Sequence, residues 1–175
     1  DVKHLANFAV VYDLPNLGVG PRLLRDFVNG WQTNGIVTVR SGLPLNVVTG
    51  RDNSLTGTGN DRPDVVGDST RLAGVDRLDA WFNAAAFIPN AIGTFGTAGR
   101  NILRGPGLLS ADASLFKNFR LHESLRLQVR GEAFNVLNRS NLGNPVVNLT
   151  GANVGRINNL TGNPRVVQVG MKLMF

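Results

Sequence analysis

The chain has 175 residues, 42% hydrophobic and 17% charged, with a formal net charge of +6. Cysteine is absent and histidine occurs only as His4 and His122, which excludes disulfides, thiolate metal sites and cysteine nucleophiles and leaves little room for histidine chemistry. With 21 Gly, 20 Asn and 8 Pro the composition favours turns over helices. No apolar run is long enough for a membrane-crossing helix. Asp1 opens in mid-pattern, without an initiator Met or a signal peptide, so the expectation is a segment of a longer protein.

The dominant hydrophobic period is two. In the first segment, 5–13, Ala6, Phe8, Val10 and Tyr12 oppose Leu5, Asn7, Ala9, Val11 and Asp13, the least regular of the alternations. A short helical turn is predicted around 21–28, with Pro21 in its first turn. From Trp31, one parity carries Thr33, Gly35, Val37 and Val39 and the other Gln32, Asn34, Thr38 and Arg40. Ala111, Ala113 and Leu115 then oppose Ser110, Asp112, Ser114 and Asn118. Leu125, Leu127, Val129, Gly131 and Ala133 oppose Arg126, Gln128, Arg130 and Glu132. The last segment, VVQVGMKLMF, sets Val167, Val169, Met171, Leu173 and Phe175 against Gln168, Gly170 and Lys172. Such alternation makes strands with one apolar and one wet face, and ten residues suit a tilted strand crossing a bilayer. The predicted strands are 5–13, 31–47, 109–119, 124–137 and 165–175, in an all-β, antiparallel arrangement.

Antiparallel pairing sorts the connections. The turns at 14–30 and 120–123 fall on one side, and the long loops 48–108 and 138–163 on the other, the asymmetry of an outer-membrane barrel. Tyr12, Trp31, Phe119 and Phe175 all lie at strand ends on the short-turn side, where an interfacial aromatic girdle would sit. Arg40, Asp112, Arg126, Arg130, Glu132 and Lys172 occupy the wet parity and are expected to face the lumen. They make either a mildly cationic pore wall or structural pairs across strands or with a plug, and the second reading is favoured.

Loop 48–108 balances Arg51, Arg62, Arg71, Arg77, Arg100 and Arg104 against Asp52, Asp61, Asp64, Asp68, Asp76 and Asp79. The remaining cations are dispersed, which argues against nucleic acid as a partner. The stretch RDNSLTGTGNDRPD has oxygen ligands for calcium but lacks the order of an EF-hand loop, and Asx turns explain it better. NLTG at 148–151 and 159–162 also reads as turn chemistry. The glycines of 93–107 have no strand-to-helix context for phosphate. With no nucleophile, base or metal set in view, the expectation is a non-enzyme without cofactor or metal. Trp81, Phe82 and Phe87 are either loop contacts to a solute or the loop's own small core, the latter favoured.

The stretches VYDLP (11–15), GWQTNGIVTVRSGLPLNV (30–47), NDRPDVVGD (60–68), WFNAAAF (81–87), GTFGTAGRNILRGPG (93–107), SLFKNFRL (114–121) and LRLQVRGEAFNVLNRSNLGNP (125–145), with the terminal strand ending in Phe175, carry a resemblance. The chain resembles the C-terminal end of TonB-dependent outer-membrane receptors, most closely the Oar-like subgroup with a carboxypeptidase-regulatory-like domain. The resemblance implies the last five strands of a 22-stranded transmembrane barrel in the outer membrane of a Gram-negative bacterium, with both long loops extracellular. It also implies an N-terminal plug coupled to the TonB complex, and uptake of a siderophore, cobalamin, glycan or peptide. Val169, Met171, Leu173 and Phe175 resemble the C-terminal signal read by the barrel-assembly machinery. Outer-membrane lipid and an unidentified solute complete the implied partners. A non-transporting adhesion barrel and a soluble β-sandwich binding module are the alternatives.

Overall fold

The computed structural model describes residues 1–16, 18–70, 73–122 and 125–175, the side chains of Arg22 and Leu23 excepted. In chain order the elements are β1 (Leu5–Asp13), helix α1 (Arg22–Val28), β2 (Trp31–Arg40), β3 (Pro44–Leu45), β4 (Asp64–Val65), a 3-10 turn (Ala84–Ala86), β5 (Phe87–Ile88), β6 (Leu103–Arg104), β7 (Leu108–Arg120), β8 (Arg126–Phe134) and β9 (Val166–Met174). The predicted strand start at Ser124, and Arg71 of the loop charge balance, lie outside the described residues. The chain divides into two compact units.

The first unit, 5–40 with 109–140 and 162–175, is a five-stranded sheet in the order β1-β2-β7-β8-β9. The order follows the chain, so the sheet is a meander, with antiparallel pairing at β1–β2, β7–β8 and β8–β9. The register puts residues of one parity opposite one another on every strand. One face therefore collects Phe8, Val10, Tyr12, Leu115, Val167, Val169, Met171 and Leu173, all exposed. Such a face is a liability in water unless something apolar covers it.

Two strands stop earlier than their predicted ranges, 31–47 and 124–137. β8 ends at Phe134 rather than 137 because Asn135 adopts φ 49°, a left-handed conformation that Asn tolerates better than most residues. Its N–H leaves the ladder and donates to Asp112 Oδ1 at 2.8 Å. β2 ends at Arg40 rather than 47. Pro44 lacks an N–H for a ladder, and residues 44–45 pair instead with 103–104 as the short β3–β6 ladder. α1 is formed as expected from 22 on, but Pro21 stands one position ahead of it, at the N-cap.

The second unit is built from 1–4, 41–108 and 141–161, the long connections of the meander. Its core is Val47, Phe82, Ala86, Phe87, Ala98 and Leu103, with Leu45, Trp81, Val147, Leu149 and Val154 packed around it. Phe82 and Phe87 meet edge-on, centroids 5.8 Å apart at 84°. Backbone bonds such as Val48 N–H to Val147 O (3.0 Å) and Leu149 N–H to Val48 O (2.9 Å) tie the two connections together.

Gly42 is the tight point of this unit: a Cβ there would lie 1.8 Å from the Gly105 carbonyl oxygen. A Gly42→Ala substitution is expected to open the β3–β6 ladder, at an overpacking cost of about 1–3 kcal/mol. The readout is faster hydrogen exchange at the Gly105 amide, which donates to Leu43 O at 2.9 Å. Protection unchanged from the parent protein would contradict the close approach.

Candidate functional site

The sheet presents two chemically distinct surfaces. On its polar face the register aligns Asp13 with Gln32, Ser114 with Glu132 and Gln168, Asn118 with Gln128 and Lys172, and Arg120 with Arg126. Side chains pair as the register dictates. The Gln32 amide donates to Asp13 Oδ1 at 2.8 Å, and the Gln128 amide to Asn118 Oδ1 at 3.0 Å. Glu132 is a hub: the Gln168 amide donates to its carboxylate, and Arg130 Nε stands 4.0 Å away. Arg130 also lies across Gly170, where a Cβ would come within 2.9 Å of Nε. Asp112 is spent on the Asn135 amide. Arg126 and Lys172 are exposed and Arg40 half-buried on this face.

A hollow of about 270 Å³ opens on the same face, lined by Asn34, Ile36, Asp112, Ser114, Phe116 and Glu132 among others. Asn34 Oδ1 and Arg40 Nε are buried without a protein partner among the described residues. This wall is polar and carries cations and carboxylates side by side. Among the described residues no cluster of three or more His, Asp or Glu could hold a metal.

The apolar face carries the four strand-end aromatics. Tyr12 lies opposite Thr33. Asn118 N–H donates to Gly30 O at 3.2 Å, which sets Trp31 opposite Lys117. Phe119, Leu127 and Leu173 form the next row, and Phe175 is one row further. From β1 to β9 the aromatics thus advance three rows over four strand spacings. At about 6.7 Å per two residues and about 4.8 Å per strand, that is roughly 20 Å along the strands for roughly 19 Å across them. A line through the aromatics crosses the strands at a tilt of about 45°, the inclination of strands in an outer-membrane barrel.

One residue on this face has no counterpart in the predicted sites. Lys117 shares its parity with Leu115 and Phe119 and is only 1% exposed. Its Nζ donates to Asp26 O at 2.8 Å and to Asn29 O, and stands 5.6 Å from the Trp31 ring centroid and 5.0 Å from that of Phe119. The Trp31 indole N–H donates to Phe27 O at 3.0 Å. Together they satisfy carbonyls at the C-terminal end of α1, which a helix leaves orphaned and partly negative. The parity of Lys117 was readable in the sequence; its partner, the carbonyl end of a helix ninety residues away in the chain, was not.

In the loop unit, Phe82 and Phe87 are core and closed to a solute. Trp81 is half-buried, its indole N–H donating to Arg104 O at 2.6 Å with Arg77 6.0 Å from the ring centroid. The acidic stretch is occupied by turn chemistry. Asp52 accepts the amides of Thr56 (2.9 Å) and Gly57 (2.7 Å), and Asp61 accepts the amide (2.6 Å) and hydroxyl (2.7 Å) of Ser54. Asn148 Oδ1 likewise accepts the Thr150 amide and hydroxyl.

Hydrogen bonds from Ser54 hold the Asp61 carboxyl below its ordinary value of 3.8, and those from Thr70 do the same for Asp68. A carboxylate with a lowered folded pKa stabilises the fold above its unfolded pKa, and that contribution disappears as pH falls through the folded value. The turn around 51–61 is therefore expected to hold at neutral pH and loosen only below the ordinary carboxylate range. Exchange at the Ser54 amide read against pH tests this: it should accelerate at the acid end in the parent and show no such acid step in Asp61→Asn.

A meander with one largely apolar face, one polar face, strands of membrane-crossing length and a tilted aromatic line defines a membrane β-barrel type of protein. The chain matches the outer membrane beta barrel domain family over residues 1–168 and belongs to it. Its location is the outer membrane of a Gram-negative bacterium. No curated protein and no solved structure matches the chain. In such barrels the apolar face meets lipid and the polar face lines the interior.

Proposed function

We propose that the chain is the C-terminal part of the barrel of a TonB-dependent receptor of the Oar-like subgroup, acting in energised uptake of a large or scarce solute. A siderophore, glycan or peptide fits this class. The observation that carries the proposal is the unit formed by the two long connections, which leave the sheet at the same strand ends and share a hydrophobic core. A barrel that only lets small ions pass has no need of connections with a core of their own; a receptor that grips a solute does. Family-like stretches from 11 to 145 support the same reading.

In this proposal Arg40, Asp112, Arg126, Arg130, Glu132 and Lys172 belong to the wall against a plug, Tyr12, Trp31, Phe119 and Phe175 form the periplasmic girdle, and the barrel-assembly machinery reads Val169, Met171, Leu173 and Phe175. The protein catalyses no reaction.

The test is binding of the purified periplasmic domain of TonB to the whole protein in detergent micelles. Saturable binding is expected. Its absence, with the protein folded in the micelles, would leave an outer-membrane barrel of another kind, such as an adhesion barrel.

A further inference from the structure

We infer that α1 is an interfacial helix, docked on the acyl chains and headgroups of the periplasmic leaflet of the outer membrane. Lys117 carries the argument. It stands on the lipid-facing parity, yet is buried, and the groups that cover it are the carbonyls of Asp26 and Asn29 at the end of α1. A helix that shields a lysine of the outer face lies on the outer face. α1 therefore lies beside Trp31 and Phe119 instead of hanging free below the sheet.

The side chains of α1 fit that position. Leu24 and Phe27, three positions apart, share one side of the helix and are 56% and 64% exposed. Half-buried Val28 continues the same arc, while Arg25 and Asp26 fall on the other side. The helix that carries this exposed apolar patch meets the lipid-facing surface of the sheet at the aromatic line, through Trp31 and Lys117. Among the possible occupants, phospholipid is the one already contacting the adjoining surface. Arg25, exposed on the polar arc, is placed to meet lipid phosphates. Anchoring α1 in this way would hold the barrel at a fixed depth whatever solute it takes.

The 175 residues contain no cysteine, so single-cysteine reporters can be introduced without removing native ones from this region. The whole protein, on a background with no other cysteine, would carry Phe27→Cys, Leu24→Cys, Val10→Cys (lipid face) or Gln168→Cys (polar face), each labelled with bimane. Each would be reconstituted in phosphatidylethanolamine–phosphatidylglycerol vesicles with and without acyl-brominated phosphatidylcholine. Quenching at positions 24 and 27 is expected within about twofold of that at position 10 and several-fold above that at 168. Quenching at 24 and 27 as low as at 168, with position 10 strongly quenched, would overturn the inference alone and turn attention to a periplasmic protein as the occupant. Weak quenching at position 10 as well would overturn it together with the assignment of the lipid face.

Discussion

Replacing Lys117 by Met is expected to destabilise the protein by about 2–4 kcal/mol, and the sign is the informative part. A lysine that simply faces lipid costs up to about 2–4 kcal/mol depending on depth, so deleting such a charge would make a barrel more stable. Lys117 is not in that situation. Its ammonium is sheltered between Trp31 and Phe119 and donates to two backbone carbonyls, Asp26 O and Asn29 O. Methionine fills similar volume but donates nothing, leaving both carbonyls without that donor beside an apolar surface, at about 1–3 kcal/mol for each that finds no substitute. Urea titration in lipid vesicles, read by the folded and unfolded bands in unheated gels, measures the difference. Trp31→Phe should lower stability by a smaller amount, since it removes one bond, from the indole to Phe27 O. The double variant should lose less than the sum, because both side chains hold the same helix end. A Lys117→Met protein more stable than its parent would show that the lysine faces lipid and that α1 does not shield it.

What the sequence disclosed, and what it withheld, follows from the range of the interactions. Period two is a local property, so the strands were visible, and alternation assigned Val129 and Met171 to one face and Arg130 and Lys172 to the other before any register was known. Strand ends were less visible because they depend on distant partners. β8 stops at Asn135 because Asp112, far back in the chain, captures its amide, and β2 stops at Arg40 because residues 44–45 find 103–104. The loop core is the extreme case: Val47, Phe82, Ala98 and Leu103 have no period, and only folding brings them together. Trp81, Phe82 and Phe87 stood out as a cluster by type, with a small loop core the favoured reading, but the residues they pack against were not visible. The polar wall was legible as a parity. Its pairing of Glu132 with both Arg130 and Gln168 required the β8–β9 register.

Truncating Phe82 to Ala is expected to unfold the loop unit while the sheet survives. Phe82 is 2% exposed, packs edge-on against Phe87, and sits in a small core whose described buried members include Val47, Ala86, Ala98 and Leu103. A buried Phe→Ala change costs about 3–5 kcal/mol, and so small a core has little reserve to absorb it. The sheet draws on other interactions, its ladders and its lipid contact, so the two units should respond differently. Limited proteolysis of the whole protein in vesicles should show cleavage within 48–108 accelerated at least tenfold in Phe82→Ala. The folded band in unheated gels and the protection of β8–β9 amides should stay as in the parent. Phe87→Leu, which keeps apolar volume and loses only the ring pair, should fall between parent and Phe82→Ala. Under the receptor reading, Phe82→Ala also loses solute capture at unchanged membrane level, because the surface that grips the solute no longer has a core to hold its shape. If the sheet amides lose protection together with the loop, the two units do not fold independently, and the loop unit is then part of what keeps the barrel strands in register.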